Sequence, residues 1–255
     1  MGRLAIIGGS GFAALAGAPV LSGPGLDTPY GRTSAAIAEG ILGGREVLFL
    51  PRHGVGHSIP PHSINYRANL WALKEAGASH IVALAAVGGI GAAYGPRVLA
   101  VPDQLIDYTY GRAQTFFRGG DAGVVHIDFT HPYSRPLRQA LMRAGWAVGL
   151  DPVDGGTYAA VQGPRLETAA EVVRLERDGC HLVGMTGMPE AALARELDIC
   201  YACAAFVVNW AASKTQAEIL LAEIEANLDQ CRGEVGRWME ALVAQFDPDA
   251  DAALS

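Results

Sequence analysis

Short, nearly continuous apolar runs alternate along the chain with segments whose apolar residues recur at helical spacing. Runs of the first kind predict buried strands, and segments of the second kind predict amphipathic helices. The predicted strands cover residues 4–7, 46–50, 80–87, 98–106, 157–161 and 199–208. The predicted helices cover residues 63–76, 132–144, 167–177, 189–197 and 219–242. This alternation predicts an α/β fold. Since no linker or repeat interrupts it, we expect one domain over residues 1–246 and a frayed acidic tail over residues 247–255.

Several residues mark where the predicted helices begin and end. Ser63 can cap the first helix, and Gly77 can stop it. Pro189 occupies a first-turn position of the fourth helix. The last helix contains Gly233 and Gly236, which could bend it.

The composition narrows the class of protein. The chain has 255 residues, half of them apolar, with a mean hydropathy of +0.20, so it can bury a full core. Its formal net charge of −7 argues against a nucleic-acid backbone or an anionic membrane as a partner. No apolar run reaches the roughly 18 residues of a membrane span, and the N-terminal sequence lacks a signal-peptide layout. We therefore expect a cytoplasmic protein.

Two of the four cysteines form a C-x-x-C pair, Cys200 and Cys203. Such a pair is typical of redox and metal sites. Here it lies in the apolar run 199–208, which predicts a strand, and residues three apart on a strand point to opposite faces. We therefore expect reduced cysteines in the core.

A glycine-rich segment, Gly8-Gly9-Ser10-Gly11, follows the first predicted strand. Consecutive glycines let backbone N–H groups approach an anion, and the Ser10 hydroxyl adds a donor, so the segment is a candidate phosphate loop. A plain tight turn stays open, and so does dinucleotide binding, because Gly9 to Ala14 fits the loose G-x-G-x-x-A fingerprint. The prolines and glycines between positions 19 and 29 argue against the helix and second strand that this fingerprint needs.

Residues 51–62 combine one arginine with three histidines. A metal site at His53, His57 and His62 is one alternative, but prolines and glycines exclude a regular helix, and no paired acid or cysteine completes a ligand set. Arg52 is the better candidate, because a guanidinium matches the oxygens of a phosphate bidentately. A solvated arginine without a ligand is the competing interpretation.

Six segments together resemble the purine nucleoside phosphorylase and methylthioadenosine phosphorylase family. They are Ile6-Ile-Gly-Gly-Ser-Gly, Pro51-Arg-His-Gly, Asn65-Tyr-Arg-Ala-Asn-Leu-Trp-Ala-Leu-Lys, Gly155-Gly-Thr-Tyr, Gln162-Gly-Pro-Arg-Leu-Glu-Thr and Val183-Gly-Met-Thr-Gly-Met-Pro-Glu. The resemblance covers most of the chain, to about Ser213. It implies a mixed central β-sheet flanked by helices and a homotrimer in which neighbouring subunits complete the site.

The resemblance also implies which residues bind phosphate and ribose. The implied phosphate contacts come from Ser10, Arg52, His53, Thr186 and the backbone of Ala86. Many relatives have a polar side chain before that alanine, where this chain has Ala85. Met185 is implied to lie under the ribose, with an ordinary core methionine as the competing interpretation.

The base site is implied to consist of Asn209 and Glu167, with Leu166 beside the base. Relatives specific for 6-aminopurines have an aspartate at the Asn209 position and a second acid at the Ala211 position. An asparagine amide instead offers an N–H to N7 or to a 6-keto oxygen, and Glu167 matches a glutamate that accepts from N1–H in 6-oxopurine phosphorylases. Leu166 replaces an aromatic residue that usually flanks the base, so stacking on the base is weaker. The differences at positions 209 and 211, together with Glu167, favour a 6-oxopurine. A buried strand-end amide and a helix-start carboxylate are the structural alternatives for the two residues.

The chemical nature of the 5′ group is indicated mainly by the absence of one histidine. Nucleoside-specific relatives hold the 5′-hydroxyl with a histidine after the base-reading strand, but this chain has no histidine after His181. The segment 210–213 is small and apolar, which suits a thioether. His126 matches a histidine near the 5′ group of methylthioadenosine phosphorylases, and a structural histidine is the alternative.

Together these implications predict phosphorolysis of S-methyl-5′-thioinosine to hypoxanthine and S-methyl-5-thioribose 1-phosphate. No cofactor or metal is expected, because inorganic phosphate is the nucleophile. The partners are then a purine nucleoside and phosphate, without nucleic acid or membrane. A methylthioadenosine phosphorylase or a broad inosine and guanosine phosphorylase is the main alternative. A non-catalytic purine-binding protein and an NAD-binding protein are more remote ones.

Overall fold

The computed structural model describes residues 2–9, 25–120 and 123–248. It is an α/β domain with five α-helices and a ten-stranded mixed sheet in the described part, as expected from the alternating pattern. The strands are β1 (Arg3–Gly8), β2 (Asp27–Thr28), β3 (Gly31–Arg32), β4 (Ala38–Leu42), β5 (Arg45–Pro51), β6 (Ala78–Gly89), β7 (Leu99–Val101), β8 (Gln104–Asp107), β9 (Val153–Asp154), β10 (Thr157–Ala160), β11 (Leu182–Gly184) and β12 (Cys200–Trp210). The helices are α1 (Tyr66–Glu75), α2 (Arg135–Ala147), α3 (Ala169–Arg177), α4 (Gly187–Glu196) and α5 (Leu221–Gln245). None of the helices in these ranges is long and apolar enough to cross a membrane.

The central strand β6 has two successive partners along one of its edges and a single partner along the other. On one edge, β1 runs parallel to it as far as the pair Ile7–Ala83, and β11 runs antiparallel to it from the pair Val183–Gly88. On the other edge it pairs in parallel with β12. Residues 84–87 therefore lie where the strand partner changes from β1 to β11. In α/β sheets such changes of partner open a crevice at the strand ends where ligands bind.

Helices cover both faces of the sheet. Residues of α1 and α4, including Leu70 and Leu193, pack on one face, and residues of α2 and α5, including Leu141 and Trp238, pack on the other. Strand β12 contributes to both clusters because its successive side chains alternate between the faces. This double burial explains why residues 199–208 are apolar almost without interruption.

The cysteine prediction is confirmed. Cys200 and Cys203 are buried on β12, and neither forms a disulfide. Cys203 packs in the cluster under α1 and α4, and the odd spacing places Cys200 on the opposite face.

Several predicted boundaries were wrong. The predicted strand 98–106 is two strands, β7 and β8, which separate at Pro102 and Asp103 and pair with different partners. Asn65 rather than Ser63 caps α1, because Ser63 belongs to a short 3₁₀ turn, whereas the Asn65 side chain accepts from the Ala68 N–H at 3.1 Å. Helix α3 begins after Thr168, which forms a capping box with Glu171, so Glu167 precedes the helix.

The last helix is continuous through both of its glycines, up to Gln245. Its first residues, 219 and 220, lie before the helix rather than in it. The predicted frayed tail falls mostly on residues 249–255, outside the described residues.

Candidate active site

A cavity of about 450 Å³ opens where the neighbours of β6 change. It brings together residues that are far apart in the sequence. Those of the predicted site residues that line it are Arg52, His53, Ala86, Leu166, Glu167, Met185, Thr186 and Asn209. Ser10, the predicted loop hydroxyl, lies outside the described residues, so the alternatives for the glycine segment beyond Gly9 stay predictions.

Arg52 is buried at the base of this cavity, with 1% of its surface exposed, so the interpretation as a solvated arginine was wrong. Its Nε and Nη2 donate to the two carboxylate oxygens of Glu190 at 2.7 and 2.8 Å, and its Nη1 donates to the Leu84 carbonyl at 3.0 Å. Burial alone lowers the pKa of Arg52, but attraction to Glu190 and its hydrogen bonds raise that pKa above the ordinary value, so the guanidinium stays charged.

This pairing corrects how Arg52 was expected to bind. The Nε–Nη2 edge that matches an oxyanion bidentately is occupied by Glu190. A guanidinium has five N–H groups, and three of them serve Glu190 and Leu84. Arg52 can therefore offer a phosphate the two remaining N–H groups, on Nη1 and Nη2, while Glu190 holds its orientation.

His53 is held in one tautomer by the loop that follows it. Its Nδ1 lies 2.9 Å from the Ile59 carbonyl oxygen, which can only accept, so Nδ1 carries a proton. Burial, and then the Arg52 charge, lowers the pKa of His53 to about 4. The ring is therefore neutral near pH 7, and it stacks on His57 at a centroid distance of 4.2 Å. His62, by contrast, is exposed.

The backbone at the strand ends approaches Arg52 closely. A Cβ atom on Gly9 would lie 2.5 Å from the Leu84 carbonyl oxygen and 3.1 Å from Arg52 Nη1, so only glycine allows this approach. Alternate residues of a strand direct their N–H and C=O groups to the same side. The Ala86 N–H is therefore directed to the same edge of β6 as the Leu84 carbonyl, into the part lined by Arg52.

Met185 and Thr186 reach the cavity from the turn between β11 and α4. Thr186 lies in the turn before α4, and Met188 (φ −122°, ψ 141°) interrupts the helical conformation, so the regular part of the helix begins at Pro189, as Pro189 predicted. Met185 packs against Gly163, where a Cβ atom would lie 2.4 Å from the Met185 sulfur and where φ is +61°. The positive φ favours glycine at 163, whereas the Met185 side chain could move to admit a Cβ atom.

A bulge at the end of β12 directs Asn209 into the cavity. Val207 pairs with Val87 and Asn209 pairs with Gly88, so Val208 is an extra residue in the ladder. As a result both Val208 and Asn209 line the cavity, although consecutive strand residues normally face opposite sides. Asn209 Nδ2 donates one N–H to the Trp210 carbonyl at 2.7 Å, and an amide has a second N–H to offer.

Glu167 is half-buried and lines the cavity just before the capped start of α3. Burial raises the pKa of Glu167 above its ordinary 4.5, although its own backbone N–H and the nearby Arg165 act in the opposite direction. Leu166 beside it is 39% exposed and also lines the cavity.

The apolar wall of the cavity differs from the expected one. Ala211 is buried in a separate apolar cluster with Ile90 and Val183 rather than lining the cavity. The apolar residues contributed by the C-terminal part of the chain are Val208, Ile224 and Leu228. Ile224 and Leu228 belong to the apolar residues at helical spacing that predicted the last helix, and that spacing alone does not reveal which of these residues face a ligand.

His126 is exposed and does not line the cavity within this chain. Its predicted contact with the 5′ group is therefore not formed within this chain. Two residues that hold the site together were not predicted as site residues: Glu190, which was quoted in a motif without a role, and Arg112, which belongs to no recognisable pattern.

Comparisons with known proteins agree with the geometry. A model of the phosphorylase superfamily matches residues 3–244. A protein of Xanthomonas campestris pv. campestris named a probable S-methyl-5′-thioinosine phosphorylase is 55% identical over 227 residues, which cover 89% of this chain and 91% of that protein. The 6-oxopurine nucleoside phosphorylase of Pyrococcus furiosus is 44% identical and covers 88% of this chain and 85% of its own.

A solved structure matches over nearly the whole length. The methylthioadenosine phosphorylase from Schistosoma mansoni in complex with adenine has a TM-score of 0.89 at 29% identity, covering 99% of this chain and 95% of that one. The family resemblance and the mixed α/β fold expected from it are thus confirmed. These matches lead to one conclusion: the chain belongs to the phosphorylase superfamily.

Proposed function

We propose that the protein is a pentosyltransferase that cleaves S-methyl-5′-thioinosine with inorganic phosphate, giving hypoxanthine and S-methyl-5-thioribose 1-phosphate. The observation that carries the proposal is that one cavity is lined both by Arg52 and Thr186, which can donate to an anion, and by Glu167 and Asn209. An anion site and a purine site then share one space, as a displacement at the sugar carbon between them requires.

The proposed reaction needs no cofactor or metal, because phosphate is itself the nucleophile. A phosphate oxygen bonds to C1′ while the C1′–N9 bond breaks and its electron pair passes to the purine. The proton of hydrogen phosphate ends on the purine through water. Arg52, Thr186 and the Ala86 N–H hold the anion, whose charge also offsets the positive charge that develops on the sugar.

Two groups stabilise the departing base in this proposal. The second N–H of Asn209 donates to N7 or to the 6-keto oxygen, and the Glu167 carboxylate accepts from N1–H. Both hydrogen bonds strengthen as negative charge develops on the purine. A 6-aminopurine would leave at least one of these groups unpaired, at a cost of about 1–3 kcal/mol per group. This pairing favours the 6-oxopurine over methylthioadenosine.

The apolar surface of Val208, Ile224 and Leu228 supports a methylthio group rather than a 5′-hydroxyl. We also propose that a homotrimer forms, in which His126 of one subunit approaches the 5′ group bound by its neighbour. The exposure of His126 in the single chain agrees with a contact made across an interface.

A substrate panel tests the function. Methylthioinosine, methylthioadenosine, inosine and guanosine are each incubated with and without phosphate, and release of the free base is measured. We expect phosphate-dependent release with the highest kcat/KM for methylthioinosine. Base release from none of the four would refute the proposal, and a preference for inosine would assign the broad 6-oxopurine activity instead.

The raised pKa of Glu167 predicts an acid limb in the pH profile. Only the ionised carboxylate accepts from N1–H, and this form is lost as the pH falls through a pKa above 4.5. We expect kcat/KM for the nucleoside to decrease toward low pH, and Glu167→Gln to be less active by about 10²-fold and to lack this limb. If kcat/KM of Glu167→Gln decreased at the same low pH as that of the wild type, the titration would belong to another group.

Leu228→Gln should weaken the selection of the methylthio group. Burial of about two methylene equivalents is worth roughly 1.5 kcal/mol, so kcat/KM for methylthioinosine should fall about 10-fold relative to inosine. Leu221→Gln is the matched control, because Leu221 lies in the same helix, is 71% exposed and does not line the cavity. Equal losses for both nucleosides would contradict the role of Leu228.

A further inference from the structure

Arg112 lies between β8 and α2 and makes hydrogen bonds to three segments of the cavity wall. Its Nη1 donates to the carbonyls of Met185 and Met188 at 2.8 and 2.6 Å. Its Nη2 donates to the carbonyls of Val161 and Gln162 at 3.2 and 2.9 Å, and its Nε donates to Gln162 Oε1 at 3.2 Å. The guanidinium itself does not line the cavity.

The third segment is reached through a tyrosine. Arg112 Nη1 also donates to the Tyr66 hydroxyl at 3.2 Å, and that hydroxyl donates to the Pro61 carbonyl at 3.0 Å. The Arg112 guanidinium lies over the Tyr66 ring, 5.5 Å from its centroid. Pro61 lines the cavity and ends the loop that carries Arg52 and His53.

Each of these segments leads into a different part of the proposed site. The segment from Met185 to Met188 contains Thr186, and the chain after Gln162 continues to Leu166 and Glu167. Arg112 thus connects the residues proposed to hold phosphate with one of the two residues proposed to hold the base. Five N–H groups serve six acceptors, so at least one N–H is shared between two of them. A lysine ammonium, with three N–H groups on a single atom, cannot reach all of these acceptors.

We propose that Arg112 is a positioning residue that fixes the three wall segments relative to one another and thereby couples phosphate binding to base binding. The inference rests on the proposed function, because it assigns one wall to phosphate and another to purine. Binding of either ligand orders a wall to which Arg112 is bonded. The second ligand then meets a wall that is already in place and binds more tightly.

The test measures hypoxanthine binding by calorimetry with and without saturating inorganic phosphate. In the wild type we expect phosphate to tighten hypoxanthine binding by about fivefold or more, within the usual range of coupling between sites. In Arg112→Lys we expect this factor to fall to within about twofold of unity. A general loss of stability would weaken hypoxanthine binding both with and without phosphate and would leave the ratio of the two affinities unchanged. This ratio therefore separates positioning from a purely structural role.

Arg174→Lys is the matched control. Arg174 lies over the Tyr108 ring at 5.4 Å, much as Arg112 lies over Tyr66, but it forms an ion pair with Asp178 at 3.7 Å and makes no hydrogen bond to the three wall segments in the described part of the chain. The control should keep the wild-type coupling. Unchanged coupling in Arg112→Lys, or no coupling in the wild type, would overturn the inference. A wild type that binds neither hypoxanthine nor phosphate would instead refute the proposed function.

Chemical rescue gives a second measurement. In Arg112→Ala, added guanidinium ion should restore phosphorolysis at least about 10-fold, because it can occupy the vacated position and bond to the same carbonyls. Methylammonium, which lacks the planar set of donors, should not. Equal effects of the two ions would overturn the inference, and if the alanine variant does not fold, the coupling factor of Arg112→Lys decides it.

Discussion

Glu190→Ala is expected to cost about 3–5 kcal/mol of the free energy of unfolding, because it leaves the buried Arg52 charge without a partner. Glu190 is fully buried and accepts from Arg52 twice and from the Tyr201 hydroxyl at 2.8 Å. Without it Arg52 also loses its orientation, so the KM for phosphate should rise more than the KM for the nucleoside. Urea unfolding and phosphate-dependent kinetics measure the two effects.

Two further variants separate stability from activity. Asp229→Ala removes the acid of an exposed pair with Arg232 and should change the free energy of unfolding by less than about 1 kcal/mol. Arg52→Met combined with Glu190→Met replaces the buried pair by apolar side chains, and it should recover most of the lost stability. That double variant should nevertheless remain inactive, since no guanidinium faces phosphate. Substantial phosphorolysis by it would contradict the assignment of Arg52.

The strands that position the site could largely be predicted from the sequence. The run 199–208 is apolar almost throughout because both of its faces are covered, and this pattern identifies a central strand. The break between β7 and β8 was missed, although Pro102 carried a signal, since proline has no N–H for a ladder. The start of α1 was misplaced because Ser63 and Asn65 both suit a cap, and local sequence alone does not rank them.

The site residues were predictable as a set but not in their partners. Motifs identified Arg52, Glu167 and Asn209, and all three line one cavity. The bidentate partner of Arg52 could not be predicted, because Glu190 is 138 residues away along the chain and meets Arg52 only in the folded structure. The bulge at Val208 that turns Asn209 inward has no marker in the residues around it. Arg112 was missed since backbone carbonyls, its main acceptors, leave no trace in a sequence.

Asn209→Asp combined with Ala211→Asp should shift the preference from methylthioinosine toward methylthioadenosine by about 100-fold in the ratio of kcat/KM, since each restored hydrogen bond is worth about 1–3 kcal/mol. An acid at 209 in this half-buried position should have a raised pKa and could donate a proton to N7. Ala211 does not line the cavity itself, but its Cβ lies 3.6 Å from where a Cβ atom on the lining residue Gly88 would be, so a longer acidic side chain at 211 could reach past Gly88 and accept from the 6-amino group.

The buried position of Ala211 predicts a loss of stability in this double variant, and it also determines the control variant. Ala211 is 3% exposed among apolar side chains, so its aspartate should also lower the stability. The control is Asn209→Asp with Ala212→Asp, which introduces the same charges but places the second acid one residue further from the end of β12. Competition between the two nucleosides measures the preference directly. If both double variants keep the wild-type ratio, the amide at 209 does not select the keto base; if only the first shifts it, the choice of purine depends on these two positions.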